Sequence, residues 1–231
     1  MERVACGAGL ALLLVAPGFA GAGWPLDDAQ LRRMRPGAEL LQRLDVDLSG
    51  DGVVDTVVAF AHADAPDADA YRAVEIFWGH RREHYLQDPG GRSDEDDEEP
   101  NSFVNLQSSP HGGPHLSVRK DVLLVEDLTG GTTATQATYR YRYEAMADDM
   151  RLIGMDMERY SRTNAHGSLR LSWNVVTGAR IAQRSRVAND GKAALAYGPE
   201  RRWTDASRTY VYMPDTPSPD ELLDQAFPPA E

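Results

Sequence analysis

The chain has 231 residues, of which 42% are hydrophobic and 26% charged, and its formal net charge is −12 at neutral pH. This acidic balance argues against a nucleic-acid-binding protein, whose contacts to phosphate need clustered Lys and Arg. A single cysteine, Cys6, excludes a disulfide framework and a cysteine-rich zinc site. The composition is that of an ordinary globular protein rather than a disordered or membrane-embedded one.

The N-terminus has the three-part pattern of a secretory signal peptide. A short charged segment at 1–3 precedes an apolar run at 4–16, and the small residues Ala20 and Ala22 stand where a signal peptidase reads. We therefore expect residues 1–22 to be removed, with Cys6 among them, and the mature protein to be secreted or periplasmic. No later stretch is long and apolar enough to predict a transmembrane segment.

The next part of the chain predicts a few elements around an acidic loop. A short helix is expected at 27–34. A buried strand is expected to begin inside the acidic loop at Val53-Val54 and to continue through the apolar run at 57–60, and a second strand is expected at 74–78. Residues 88–114 are rich in Gly and Pro and contain six adjacent carboxylates at 94–99, so they predict a long flexible loop.

From His115 onward the pattern indicates antiparallel strands. Apolar and polar residues alternate at 139–144 and again at 168–175, with turn residues between such runs. We expect a mainly β fold, an antiparallel meander, sandwich or partial barrel with one or two short helices. The predicted division is one β-rich domain at 23–213 and a Pro-rich tail at 214–231, where Ser218 and Glu221 form a capping box that opens a short helix.

The Asp- and Gly-rich segment at 45–55 predicts a calcium loop, because Ca²⁺ takes hard oxygen ligands from alternate residues of a sharply turning loop. Two ligand frames are open. A frame that begins at Asp45 lacks a late carboxylate. The preferred frame begins at Asp47 and ends at Asp55, with Gly52 at the turn. Asp45 then adds charge nearby or ligates through water. The ligands of the preferred frame are Asp47, Ser49, Asp51, Val53 through its carbonyl, and Asp55.

This preferred frame resembles the calcium loop of FG-GAP and VCBS-type repeats, which closes onto a β-strand. Ser49 stands where that family usually has Asn or Asp, which implies a weaker ligand. The resemblance covers about a dozen residues and the strand that follows. Segments around Leu152 and Trp173 also resemble strands of uncharacterised secreted bacterial proteins that carry a similar loop. Together these resemblances imply a bound Ca²⁺ ion and a β-rich fold, but no activity.

We hypothesise a structural Ca²⁺ ion in a non-catalytic domain that binds an unidentified protein or glycan at the cell envelope. The alternative is a metal-dependent hydrolase, since His80, Glu83 and His84 fit the His-x-x-Glu-His pattern of inverted zinc peptidases. That pattern needs a helix, whereas the preceding strand and Pro89 favour a charged turn. A third feature is a set of Arg residues that could line a groove for an anionic glycan or a protein, although a solvated sheet face explains them as well: Arg140, Arg142, Arg170, Arg184 and Arg186.

Overall fold

A computed structural model of the protein describes residues 24–62, 71–87, 102–107, 109, 113–163, 167–187, 195–205 and 210–228. The helices of this part are α1 (Asp28–Met34), α2 (Arg82–Gln87) and α3 (Pro219–Ala226), with 3₁₀ turns at Gly79–Arg81 and Met213–Asp215. The strands are β1 (Ala38–Val46), β2 (Asp55–His62), β3 (Tyr71–Phe77), β4 (Ser102–Leu106), β5 (His115–Arg119), β6 (Val122–Gly130), β7 (Thr133–Glu144), β8 (Asp149–Ser161), β9 (Ser168–Asn174), β10 (Ala179–Val187), β11 (Leu195–Tyr197) and β12 (Arg201–Thr204).

The described strands form two antiparallel sheets. The small sheet has the order β1-β2-β3-β4, and the large sheet runs β11-β10-β9-β8-β7-β6-β5, with β12 also paired to β10. Neighbours in the small sheet, and β5 to β10 in the large one, are also neighbours in the chain, which is a meander. The predicted mainly β, antiparallel fold is confirmed, and the described strands do not close into a barrel.

One face of the small sheet packs on the large sheet, and its other face is also covered. Val57 and Ala59 of β2 join the core shared with β6–β9, whereas Val58 and Phe60 join a second core beneath α1 and Tyr85 of α2. Burial on both faces explains why the chain at 57–60 is continuously apolar rather than alternating. The predicted helix at 27–34 is confirmed as α1. The predicted strand is confirmed as β2, except that it begins at Asp55 and not inside the acidic loop at Val53.

The rest of the inner face of the large sheet is covered by α3. Leu222, Leu223 and Ala226 of this helix belong to the core shared by the sheets. The predicted helix is confirmed, but the capping box predicted at Ser218 is wrong, because the Ser218 side chain makes no capping hydrogen bond. Pro219 at the start of α3 has no N–H group to satisfy, and its fixed φ suits the first turn of a helix.

Polar contacts between the sheets include an ion pair, a bridge made by a glutamine amide, and a hydrogen bond from the Ser102 hydroxyl of β4 to Asp149 of β8. The Arg72 guanidinium of β3 forms a buried ion pair with Asp127 of β6, with the Arg72 Nη1 to Asp127 Oδ1 distance at 2.7 Å. At the edge of the small sheet, the Gln42 side-chain amide donates to the Leu116 carbonyl at 2.9 Å and accepts from the Leu116 N–H at 2.8 Å. The Gln42 amide thus replaces a peptide group in a bridge between β1 and β5, which leaves less of the β1 edge unpaired.

The structure corrects the loop predicted at 88–114. Its described part includes β4, which pairs with β3 and buries Val104 and Leu106 in the core, so the loop prediction was wrong for these five residues. The alternation is short and lies between two prolines, which concealed it. The predicted acidic block at 94–99 and the predicted signal peptide at 1–22 lie outside the described residues. Among the described helices, none has the length and hydrophobicity that crossing a membrane requires.

Candidate metal centre

The predicted calcium loop connects β1 to β2 at the end of the small sheet. Val46 pairs with Asp55 at the last position of the ladder, so residues 47–54 form the connection. Gly50 and Gly52 have φ angles of +78° and +83°, a backbone region that glycine enters without strain. Gly52, the predicted turn residue, and Gly50 therefore both adopt a backbone conformation that favours glycine. Residues 47–55 are called the Asp loop below.

The Asp loop winds around the Asp47 carboxylate. Its Oδ1 accepts the N–H of Gly50 at 2.7 Å and its Oδ2 accepts the N–H of Gly52 at 2.9 Å. The Ser49 hydroxyl lies 3.4 Å from Asp47 Oδ1. The first two oxygen groups of the predicted ligand frame are therefore neighbours, held in place by the backbone of the loop itself.

The third oxygen group, Asp51, lies at the outer side of the loop. Its Oδ1 accepts the N–H of Val53 at 2.7 Å, and its own N–H is 3.4 Å from the Ser49 hydroxyl. Its Oδ2 lies 3.7 Å from Nδ1 of His80, and its side chain is 36% exposed. Asp51 is thus the predicted ligand with an oxygen turned away from the backbone of the loop.

Asp55 is at the base of the loop and is fully buried. Its Oδ2 accepts from the N–H groups of Leu48 at 2.8 Å and Ser49 at 3.3 Å, and its Oδ1 accepts from Gly79 at 2.8 Å. Burial raises the pKa of the Asp55 carboxyl above its ordinary value; the three N–H groups oppose that rise and the charge of Asp51 adds to it. Asp55 anchors the loop from below.

Gly79 and Trp24 hold the other side of the loop. A Cβ atom at Gly79 would lie 2.4 Å from the Val54 carbonyl oxygen, so only glycine permits this close approach. The Trp24 indole N–H donates to the same carbonyl at 2.6 Å. Val53 is half-buried beside Gly79. The loop is therefore fixed by residues from two other parts of the chain, Trp24 and Gly79.

Asp45 does not take part in this arrangement. Its carboxylate pairs with Arg43, whose Nη2 is 2.9 Å from Asp45 Oδ2, and it accepts from the Thr56 hydroxyl at 3.1 Å. Within the described residues, no three His, Cys, Asp or Glu side chains are grouped so that they could hold a metal ion. The structure thus brings Asp47, Ser49 and Asp51 to one loop, but it turns most of their oxygens toward backbone N–H groups.

A cluster beside the loop was not foreseen from the sequence. His80 Nε2 lies 2.9 Å from Asp148 Oδ1, the Tyr143 hydroxyl donates to the same oxygen at 2.8 Å, and Arg81 Nε donates to Asp148 Oδ2 at 3.0 Å. Burial opposes ionisation of Asp148, but the hydrogen bonds from Arg81, Tyr143 and His80 outweigh it and lower its pKa. The turn at 147–149 was visible in the sequence, but its contact with residues 67 positions earlier was not.

The segment with the His-x-x-Glu-His pattern differs from the expected charged turn. It forms a 3₁₀ turn followed by the six-residue α2, because Tyr85 packs into the second core against Phe77, with the ring centroids 5.5 Å apart. His80 lies in the 3₁₀ turn, and its imidazole contacts Asp148 and Asp51. Glu83 is exposed on α2. The side chain of His84 lies outside the described ones. The hydrolase alternative stays a prediction without a supporting contact.

Comparison with known proteins matched no family model, no curated protein and no solved structure.

Proposed function

We propose that the protein is a secreted or periplasmic β-domain with a binding role and no catalysis, and that a structural Ca²⁺ ion binds to its Asp loop. The observation that carries the calcium proposal is the course of the loop around Asp47, with Gly52 at positive φ donating to its carboxylate. Such a turn places alternate side chains on one side, as an oxygen-coordinated cation needs. The signal peptide predicted at residues 1–22 would bring the protein to surroundings rich in calcium, where even a weak site would be occupied by Ca²⁺.

The donor set supports a hard cation. Each carboxylate has about four lone-pair positions, and Asp51 uses one of its two oxygens for the Val53 N–H. Asp47 has three hydrogen-bond partners, from Gly50, Gly52 and Ser49, so its capacity is also not filled. Together with the Ser49 hydroxyl, these oxygens can provide ligands for Ca²⁺ after small side-chain rotations, whereas soft metals would need Cys or Met, which the loop lacks.

The charge balance of the loop favours a cation as well. Asp47, Asp51 and Asp55 lie within nine residues, and the raised pKa of Asp55 follows from burial with the Asp51 charge nearby. Asp45 has its own counterion in Arg43. A divalent cation would offset the charge of the other three and favour their ionised forms. Asp55 would serve chiefly as the anchor that shapes the loop and Asp47, Ser49 and Asp51 as the principal ligands.

The test is a thermal melt in EDTA and in excess Ca²⁺, with Mg²⁺ as the competing ion. At 10–100 times the dissociation constant, Ca²⁺ should add about 1.4–2.7 kcal/mol to the free energy of unfolding, because it binds only the folded state. Asp51→Asn should abolish the gain, whereas the matched change Asp121→Asn, in the exposed turn between β5 and β6, should keep it. Equal melting temperatures in EDTA and Ca²⁺ would refute the calcium proposal.

A further inference from the structure

The charge of the chain is divided unequally between two regions. Residues 168–210 contain eight Arg and Lys against three Asp and Glu, whereas the remaining sequence contains 16 against 33. The basic segment builds β9, β10, β11 and β12, which lie at one end of the large sheet. Its described residues contain six Arg against two carboxylates, Glu200 and Asp205, so these strands carry a local excess of positive charge in a chain of net charge −12.

A cavity of about 490 Å³ lies at this end, between the sheet and the C-terminus of α3. It is called the Arg cavity here, and its lining contains no acidic residue among the described ones: Arg180, Arg201, Arg202, Trp203, Gln225 and Ala226. Its volume lies within the range of small-molecule sites and exceeds the space that an inorganic anion fills.

The strand register determines where Arg180, the first guanidinium of the Arg cavity, lies. Arg180 stands directly opposite Trp173 of β9 and Trp203 of β12, so the three side chains share one face of the sheet. The Arg180 guanidinium lies 4.4 Å from the centre of the Trp173 ring, and its Nε is 2.8 Å from Asp205 Oδ2. This cation is held by an aromatic ring and is already paired with a carboxylate.

Arg201 differs in having no carboxylate partner among the described residues. Its guanidinium lies 4.8 Å from the centre of the Trp203 ring and donates to the Ala226 carbonyl at the end of α3. Arg202, in contrast, pairs with Glu200, with Nε to Oε2 at 3.0 Å. The cavity thus presents a positioned guanidinium whose charge is not balanced, and the flat N–H edge of a guanidinium matches a carboxylate in two hydrogen bonds.

The outer face of the sheet does not offer the same chemistry. Arg140 pairs with Asp156 at 2.5 Å and Arg170 with Glu158 at 2.9 Å, so their charges are balanced. Arg184 lies on the other face, 5.5 Å from the Phe227 ring. Arg140, Arg170 and Arg184 therefore do not form one groove, and none of the five Arg residues that the sequence grouped is among the described lining residues of the Arg cavity.

We propose that the Arg cavity binds a carboxylate-bearing sugar unit, with Arg201 pairing with the carboxylate. The Gln225 amide can donate to and accept from sugar hydroxyls, while the half-buried Trp203 ring suits the C–H groups of a sugar ring. A nucleic acid is disfavoured, because the acidic remainder of the chain repels a long polyanion. This inference rests on the proposed binding role but not on the calcium ion.

The experiment is a calorimetric or NMR titration of the full chain with D-galacturonate, with D-galactose and inorganic phosphate as probes of the neutral ring and of the charge alone. Galacturonate should bind at least about tenfold more tightly than either, since a charge-assisted hydrogen bond is added to the ring contacts. No binding, or equal affinities for phosphate and galacturonate, would overturn the proposal.

Variants separate binding from a purely structural role of Arg201. Arg201→Gln should weaken galacturonate binding about tenfold or more, Arg201→Lys should weaken it less, and the matched change Arg142→Gln, at an exposed position of β7, should leave it unchanged. If Arg201→Gln lowers the melting temperature and leaves the affinity unchanged, Arg201 only holds α3 and the proposal fails.

The two proposals can fail independently. Galacturonate affinity should be the same in EDTA and in the Asp51→Asn variant, because the contacts of the Arg cavity do not involve the Asp loop. A chain that binds galacturonate but shows no calcium-dependent melting loses only the calcium site. A chain that shows the calcium effect but does not bind galacturonate loses only the sugar site. Galacturonate binding that disappears in EDTA would contradict the independence claimed here.

Discussion

The Asp loop and the Arg cavity hold like charges together in two different ways. In the Asp loop, backbone N–H groups, mostly from within the loop, surround the carboxylates of Asp47 and Asp55. In the Arg cavity, the Trp173 ring and Asp205 hold the Arg180 guanidinium, whereas the Trp203 ring and the Ala226 carbonyl hold that of Arg201, so the partners come from several strands and α3. A carboxylate can be held by its own loop because N–H groups are present at nearly every residue. These guanidiniums need rings and acceptor oxygens that tertiary packing brings from other elements.

The largest expected effect comes from removing the anchor of the Asp loop. Asp55→Ala leaves the N–H groups of Leu48, Ser49 and Gly79 without their acceptor in a buried place, and we expect a loss of about 3 kcal/mol in the free energy of unfolding. Urea denaturation of the metal-free protein measures it. The exposed Glu126→Ala of β6 should change stability by less than about 0.5 kcal/mol.

Urea denaturation of a variant in the Arg cavity tests the comparison from the other side. Arg180→Met removes a stacked guanidinium, but Asp205 is 33% exposed and can turn to solvent, so we expect a loss of about 1 kcal/mol. A loss at Arg180 as large as that at Asp55 would contradict the view that backbone donors make the Asp loop the more rigid of the two.

A steric effect no larger than the loss at Asp55 is expected at Gly79. A Cβ atom there meets the Val54 carbonyl oxygen at 2.4 Å, so Gly79→Ala should displace the loop and lower stability by about 1–3 kcal/mol. Gly131→Ala serves as the control, because nothing lies within 4 Å of a Cβ atom at that position. If calcium binds as proposed, Gly79→Ala should also weaken it in a calcium titration, and an unchanged calcium affinity would show that the loop tolerates the shift.

The smallest expected effect concerns Asp148, whose pKa is lowered in the folded protein. A carboxyl with a lowered pKa adds stability above its unfolded pKa of about 3.9, and this contribution is lost as the pH falls through the folded value. Because the Asp148 side chain is 37% exposed, the contribution at neutral pH should stay below about 1 kcal/mol. Melting temperatures of Asp148→Asn and the unaltered protein should differ at pH 7 and converge once the pH falls below the lowered pKa of Asp148; a constant difference would argue against linkage to Asp148.

Strand β1, one of the elements that the sequence failed to predict, shows where local reasoning stops. The β1 segment, Ala38–Val46, contains Ala, Glu, Leu and Gln, which favour helices, and it lacks clear alternation. It is a strand because β2 pairs along its length, with a register shift between Leu40 and Gln42. The Gln42 amide that bridges to Leu116 likewise depends on a strand 74 residues away. Such pairing overrides intrinsic propensity, and no window of a few residues contains it.

The sequence by itself determined the features that repeat over short distances. The alternation at 139–144 and 168–174 defined β7 and β9, and the continuous apolar run at 57–60 defined a strand with two buried faces. The spacing of Asp47, Gly50 and Gly52 likewise defined a turning acidic loop. These depend on side-chain periodicity and on local hydrogen bonds, which neighbouring residues supply.

Only the tertiary structure decided which charges meet. It paired Arg72 with Asp127, placed His80 between Asp51 and Asp148, and left Arg201 without a carboxylate among the described residues. The reason is that an ion pair depends on distance in space, whereas its members lie far apart in the chain: Arg72 and Asp127 are 55 positions apart, and Arg81 and Asp148 are 67. In the sequence these amino acids are isolated charges. Once the sheets and α3 have packed, they form a buried ion pair, a polar cluster and a candidate binding cavity.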